Sequence, residues 1–414
     1  MDETRDRAYL QLIQTLLNCP NGDEPQILQD NLELLDRGFL QAWEVIAENL
    51  TQQGQENPAS FLRNLASQVG EFLDTNDDGD SDNSESEDSQ EYANFILELL
   101  QAEQDSNSDI KVIYPMLAER QHLLNLRFAD ILQQVAQNLI ADKNSEAIQS
   151  ILGDIENLSI DISNFPLGSR ANNLEIAITG YQIVLSNRQP GSEMFAQTQN
   201  NLANAYRNRI RGEKAENIEL AIAFYTAALT IYKPDAFPEQ WAMTQNNLAI
   251  AYSNRIRGEK AENIELAIAS YTAALTIYKP DAFPEQWATT QNNLANAYCD
   301  RIRGEKAQNI ELAIASYTAA LTIYKPDAFP QDWAGTQNNL ANAYRNRIRG
   351  EKAQNIELAI ASYTAALTIR TPDAFPQDWA GTQNNLGEAY RNRIRGEKAQ
   401  NIELAIASYT AALT

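Results

Sequence analysis

The chain has 414 residues, 43% of them hydrophobic, with 56 acidic against 32 basic side chains and a formal net charge of −24. That length and apolar share admit two or three packed domains, while the acidic balance excludes the basic surface that nucleic acid or an anionic membrane needs. No apolar run approaches the ~20 residues of a membrane helix, and the charged start from Met1 to Leu10 is not a signal peptide.

The two cysteines, Cys19 and Cys299, are far apart and make no disulfide framework, so a reducing cytoplasm is the expected compartment. The charge is unevenly placed. Residues 1–170 hold 32 acids and 9 bases, whereas residues 171–414 hold 24 and 23. The sequence therefore reads as an acidic half followed by a nearly neutral one.

Residues 1–73 read as an N-terminal helical module: Tyr9, Leu12, Ile13, Leu16 and Leu17 have helical spacing, as do Phe39, Trp43, Ile46, Ala47 and Leu50. Residues 74–91 follow with nine acids and no base among serines and asparagines, a composition that cannot order itself by apolar burial, and read as an acidic disordered linker. Within it Asp74, Asn76, Asp78, Gly79 and Glu85 satisfy the EF-hand loop pattern, so Ca²⁺ is an alternative to a solvated linker. Ser81, where such loops carry an apolar residue, and the lack of a second loop favour the linker. Residues 92–170 read as a second helical module in which Phe128, Leu132, Val135, Ala136 and Leu139 repeat the pattern that begins at Phe39.

From residue 171 the chain repeats itself. Phe195, Trp241, Trp287, Trp333 and Trp379 are spaced by 46 residues and each opens a copy of W-A-x-T-Q-N-N-L, continuing through R-I-R-G-E-K-A to N-I-E-L-A-I-A-x-Y-T-A-A-L-T. A half repeat at 171–194 precedes copies at 195–240, 241–286, 287–332, 333–378 and 379–414. In the copy at Trp241, Trp241, Leu248 and Tyr252 share one side of a helix A that begins near Pro238 and is ended by Gly258. Helix B aligns Ile264, Ala267, Ile268, Tyr271, Ala274, Leu275 and Tyr278, with Asn263 as its expected N-cap. Two such helices bury their apolar faces only by stacking on the next pair. The fold class is all-α, a superhelical solenoid of helix-turn-helix repeats behind an irregular helical region.

The positions Leu248, Ala249, Tyr252, Ala267, Tyr271, Ala274 and Pro280 resemble the tetratricopeptide (TPR) signature, lengthened from 34 to 46 residues. N-N-L-A-x-x-Y looks like the long-repeat subclass of kinesin light chains. The whole unit is similar to repeats of cyanobacterial multidomain proteins that often end in a CHAT domain, a caspase-like protease, and N-C-P-N-G-D-E-P-Q-I-L resembles their N-terminal segment. Thr414 directly follows a helix B, so no proteolysis carries over. The resemblance implies a scaffold or adaptor that binds a polypeptide; the alternatives are the sensory part of a CHAT-type protease system and a calcium-responsive switch.

The copies differ within helix A at four positions: Met243, Thr289, Gly335 and Gly381; Ile250, Asn296, Asn342 and Glu388; Ser253, Cys299, Arg345 and Arg391; and Asn254, Asp300, Asn346 and Asn392. The first, second and fourth lie within about 40° of one another, opposite the Trp–Leu–Tyr stripe. The resemblance implies that this face lines a concave groove, where unit-to-unit variation would hold a non-repetitive ligand in register. The pairs Asn246 and Asn247, Asn292 and Asn293, Asn338 and Asn339, and Asn384 and Asn385 fall on the same side. By likeness to other TPR proteins, Asn201, Asn247, Asn293, Asn339 and Asn385 are the expected ladder for a ligand main chain; bonds between neighbouring helices are the other reading.

Two arginine rows mark the A–B corners, Arg209, Arg255, Arg301, Arg347 and Arg393, then Arg211, Arg257, Arg303, Arg349 and Arg395. They are expected either to pair with Glu213, Glu259 and their equivalents or to attract an acidic segment such as the linker. Self-association through the array ends is a further expectation. The single histidine, His122, has no nucleophile or orienting partner in sequence, and no phosphate loop or metal motif is present, so no enzyme is expected.

Overall fold

The computed structural model describes residues 84–413 continuously and, ahead of them, scattered positions between 8 and 46. The chain divides into two compact units, Met1–Glu87 and Asp88–Thr414. In the first, Tyr9, Leu12, Ile13, Leu16, Leu35, Phe39 and Trp43 are buried in one cluster, with ring centroids 5.7 Å apart for Tyr9–Phe39 and 4.9 Å for Phe39–Trp43. Of the helical spacings expected there, Tyr9, Leu12, Ile13, Leu16, Phe39 and Trp43 are in this cluster with Ile46 against it, while Leu17, Ala47 and Leu50 lie outside the described residues.

The second unit opens with α1 (Ser84–Ser106), α2 (Ile110–Glu119), α3 (Leu126–Ile140), α4 (Ser145–Asn164) and α5 (Arg170–Asn187). Helix α1 begins inside the segment expected to be a disordered linker: 84–91 are its first turns, leading into Tyr92, Phe95, Ile96 and Leu99, which anchor it in the core. Of the candidate calcium loop Asp74–Glu85, all but Ser84 and Glu85 lie outside the described residues. Side-chain N-caps start the next helices, from Asp109, Asn125, Asn144 and Ser169. The core that gathers Tyr92 to Phe165 also takes in Ile176 and Val184 of α5, so the expected boundary at 170–171 falls within a continuous core.

Five helix pairs follow: α6 (Glu193–Asn208) with α7 (Lys214–Ile231), α8 (Pro238–Ser253) with α9 (Lys260–Ile277), α10 (Pro284–Asp300) with α11 (Lys306–Ile323), α12 (Pro330–Arg345) with α13 (Lys352–Ala366), and α14 (Pro376–Arg391) with α15 (Lys398–Leu413). Each helix packs on the next in chain order, and each helix A also touches the helix A of the following unit. The expected helix B stripe is the interface: Ile264, Ala267, Ile268, Tyr271, Ala274 and Tyr278 are all buried, and Leu294 and Ala297 of the next helix A complete their cluster. Burying an isoleucine of this stripe contributes roughly 1.5–3 kcal/mol, and the burial recurs in each unit before the last, where Ile402 and Ile406 are exposed. The tryptophans that open the copies are half-buried, packing on Tyr278 and Phe283 and their counterparts at the inter-repeat loop, rather than enclosed.

Two local expectations are corrected. Gly258 does not cap helix A, which ends at Ser253; it turns the corner, with φ of +78°, a region where any Cβ is strained. Asn263 is not the N-cap of helix B, which starts at Lys260 after Glu259. It lies in the first turn, buried, and its Nδ2 donates to the Arg257 carbonyl at 2.9 Å, tying the corner loop to the helix. The same bond recurs from Asn309, Asn355 and Asn401.

Candidate polypeptide-binding face of the repeat array

The face is held by a frame that is nearly identical in each unit. The first arginine row does not pair with the corner glutamates. It reaches back one repeat, to helix B of the preceding unit: Arg209 to Glu175, Arg255 to Glu219, Arg301 to Glu265, Arg347 to Glu311 and Arg393 to Glu357, each with Nε and Nη2 on the two carboxylate oxygens at 2.7–2.8 Å. Fork-to-fork geometry of this kind fixes orientation as well as distance. The hydrogen bonds from their arginines hold the carboxyls of Glu219, Glu265, Glu311 and Glu357 below the usual range. This row is therefore engaged within the array. Of the second row, Arg211 donates to Asn172 at 2.8 Å, while Arg257, Arg303, Arg349 and Arg395 are exposed.

The asparagine pairs split in role. In three copies the first of the pair belongs to the frame: Thr244, Thr290 and Thr336 donate their hydroxyls to Asn200, Asn246 and Asn292 of the preceding unit, each at 3.2 Å. Asn338 instead accepts from Asn385 at 3.3 Å, and Asn384 is exposed. In the expected ligand ladder, Asn201 is already bonded, donating to Glu156 at 3.2 Å, and Asn339 donates to Asn296 at 3.4 Å. Among the described residues Asn247 and Asn293 are half-buried with no side-chain hydrogen bond. The reading in which asparagines join neighbouring helices thus describes Asn200, Asn246, Asn292 and Asn338 as well as Asn201, Asn339 and Asn385, and leaves Asn247 and Asn293 with unused amides.

The variable positions form the outer face of helix A. Met243 is 41% exposed, Thr289, Gly381, Asn254, Asp300, Asn346 and Asn392 are exposed, and Gly335 is half-buried. The position held by Ile250 is closer to helix B. There Asn296 and Asn342 accept from the buried hydroxyls of Tyr317 (2.5 Å) and Tyr363 (2.6 Å), Glu388 accepts from Tyr409 (3.1 Å), and Ile250 packs on the edge of the core. Arg391 donates to Glu388 at 2.6 Å, and Arg345 and Cys299 are half-buried. Burial raises the Cys299 thiol above its usual range.

Asn296, Asp300, Asn339, Asn342 and Asn346 come together in one cleft of about 530 Å³ between the α10–α11 and α12–α13 units, with Cys299 and Tyr317 in its wall. Sequence comparison that starts at Trp241 misses the first copy of this surface. Its members are Asn204, which accepts from Tyr225 at 2.6 Å, and Arg207, in register with Ser253, Cys299, Arg345 and Arg391. Aligning the copy at Phe195 finds both. His122 is exposed on a 3₁₀ turn, Gln121–Leu123, away from any such cluster.

An all-α stack of helix pairs at a 46-residue period, joined by unit-to-unit polar staples, defines a helical repeat protein. Residues 195–229, from the start of α6 to the last turns of α7, match the family described as Tetratricopeptide repeat. The array therefore contains a tetratricopeptide repeat within a series of like units, and this fold implies protein partners. No curated protein matches the chain. No described helix is long and apolar enough to cross a membrane.

Proposed function

We propose that the chain is a scaffold or adaptor that holds an extended polypeptide along the helix A face of its repeats. One observation carries this: a frame of Arg–Glu bonds at every step, with Thr–Asn bonds at three of them, presents an outer strip whose residues vary along the array, from Met243 and Ile250 to Asn296 and Asp300 to Glu388 and Arg391. A constant frame with a varied surface fixes the register of a non-repetitive ligand. The unused amides of Asn247 and Asn293 each offer a donor and an acceptor at the spacing of one repeat, which suits a ligand main chain.

The experiment is selection of a random dodecapeptide library on the full chain, followed by binding of the selected peptides to the triple variant Asn247→Lys, Asn293→Lys, Asn339→Lys. We expect loss of binding with unchanged helical circular dichroism. Peptides that bind the triple variant as well as the native chain would remove this face as the binding surface.

A further inference from the structure

The last step of the face contains a carboxylate of its own. Glu388 accepts from Arg391 Nη2 at 2.6 Å, Asn392 Nδ2 at 2.8 Å and Tyr409 Oη at 3.1 Å. Arg345 of the preceding unit adds its charge; burial alone would raise the Glu388 carboxyl, and these donors and charges hold it below the usual range instead.

Three repeats earlier two of these donors, and the arginine of the preceding unit, recur around a different residue. Arg207 stands in the register of Arg345, Tyr271 of Tyr409, Asn254 of Asn392 and Ser253 of Arg391, while Ile250 takes the place of Glu388. The guanidinium of Arg207 is close enough to both Tyr225 and Tyr271 for its charge to act on their hydroxyls, as that of Arg345 acts on Tyr363 and Tyr409. Among the described residues no carboxylate pairs with Arg207, and its enclosed Nη1 has no hydrogen-bond partner. A partly enclosed cation without a counter-ion is unfavourable until one arrives. Ile250, packed on the edge of the core that holds Tyr271, gives this step an apolar wall that strengthens whatever ion pair then forms. Neither Cys299 nor Ser253 supplies an arginine at the two intervening steps, so this arrangement belongs to the first step alone.

We infer that the step between the α6–α7 and α8–α9 units takes an aspartate or glutamate side chain of the bound polypeptide, whose carboxylate pairs with Arg207 beside Ile250 as that of Glu388 lies within reach of Arg345 in the last step. The inference rests on the binding-face reading above and names the partner's chemistry at one position. It also gives the register: the acidic side chain lies toward the N-terminal end of the array, beside an aliphatic neighbour that meets Met243 and Ile250.

Two measurements on the full chain test it. The first needs no ligand: Ile250→Glu supplies the missing carboxylate internally, and in a double-mutant cycle with Arg207→Met the two positions should couple by at least fivefold in the unfolding equilibrium. The second uses dodecapeptides selected from the random library. They should carry an acidic residue, lose at least tenfold in affinity when it becomes its amide, and lose as much on Arg207→Met and on Ile250→Glu. Absence of coupling, or selected peptides indifferent to the acid and to Arg207, overturns the inference. If those indifferent peptides are still lost on the Asn247, Asn293 and Asn339 substitutions, the binding face stands and only its acidic step falls. A library that yields no binder removes both.

Discussion

The helices before the array and the array itself handle charge in opposite ways. In the first region titratable groups are sunk into the core. Arg188 and Glu156, with side chains 1% and 3% exposed, meet at 2.5 Å, and the guanidinium also donates to Thr198 (2.6 Å) and the Met194 carbonyl (3.0 Å). Glu103 is 1% exposed, with neither carboxyl oxygen hydrogen-bonded and Asp161 beside it. In the array every interdigitating arginine sits at the edge, about a quarter exposed, in the same bidentate pair. A unit that must be copied works best with interactions that do not depend on a unique interior. The region that begins the stack has no such constraint, and its buried pair joins α4 to the start of α6 in one arrangement only.

The largest expected effect breaks that buried pair. Arg188→Met leaves Glu156 charged and enclosed, and should cost about 3–5 kcal/mol, measured by urea unfolding. The pair Arg188→Met, Glu156→Leu should recover much of the loss. If the single substitution costs no more than an edge pair does, the contrast between the two regions disappears.

Glu103 gives the pH signature of the same region. Burial first, then the charges of Asp161 and Asp154, push its carboxyl up to about 7. The folded state therefore binds the proton more tightly than the unfolded one. This contribution to stability is complete below the ordinary carboxylate value and is lost as pH rises toward and through 7. Glu103→Gln should match the native chain at pH 4 and exceed it at pH 8 by on the order of 2 kcal/mol, read as a difference between two denaturation series. A constant difference across that range would show that the carboxyl is not held neutral.

Within the array the effects shrink. Tyr317→Phe removes the hydroxyl that donates to Asn296 at 2.5 Å and should cost about 1 kcal/mol. Arg301→Met removes one edge pair with Glu265 and should cost about 0.5–1 kcal/mol, less in high salt. Because the Arg301 hydrogen bond holds the Glu265 carboxyl below its usual range, the contribution of the pair is present at neutral pH and fades as acid protonates Glu265. Smallest of all, Asn293→Ala should change stability by less than about 0.5 kcal/mol, since its half-buried amide makes no side-chain hydrogen bond among the described residues.

Much of this was readable from the order of residues. The 46-residue period, the two helices per unit and the buried stripe from Ile264 to Tyr278 follow from spacing, because an amphipathic helix can bury only one face and identical units must bury it on each other. The outward position of Met243, Asn254 and Asp300 follows from the same periodicity. Tertiary structure alone decided which partners the polar residues found. Arg301 bonds Glu265, 36 residues earlier, instead of a nearby corner glutamate, because stacking brings helix B of one unit against helix A of the next. It likewise turned Asn246 into a bond between units and Asn263 into a corner staple, left the Asn247 amide and Arg207 Nη1 without hydrogen-bond partners among the described residues, and extended α1 into acidic sequence. Apolar burial is set by periodicity along one helix, whereas a polar side chain is satisfied by whichever complementary group the packing delivers, and that distance is not written in local sequence.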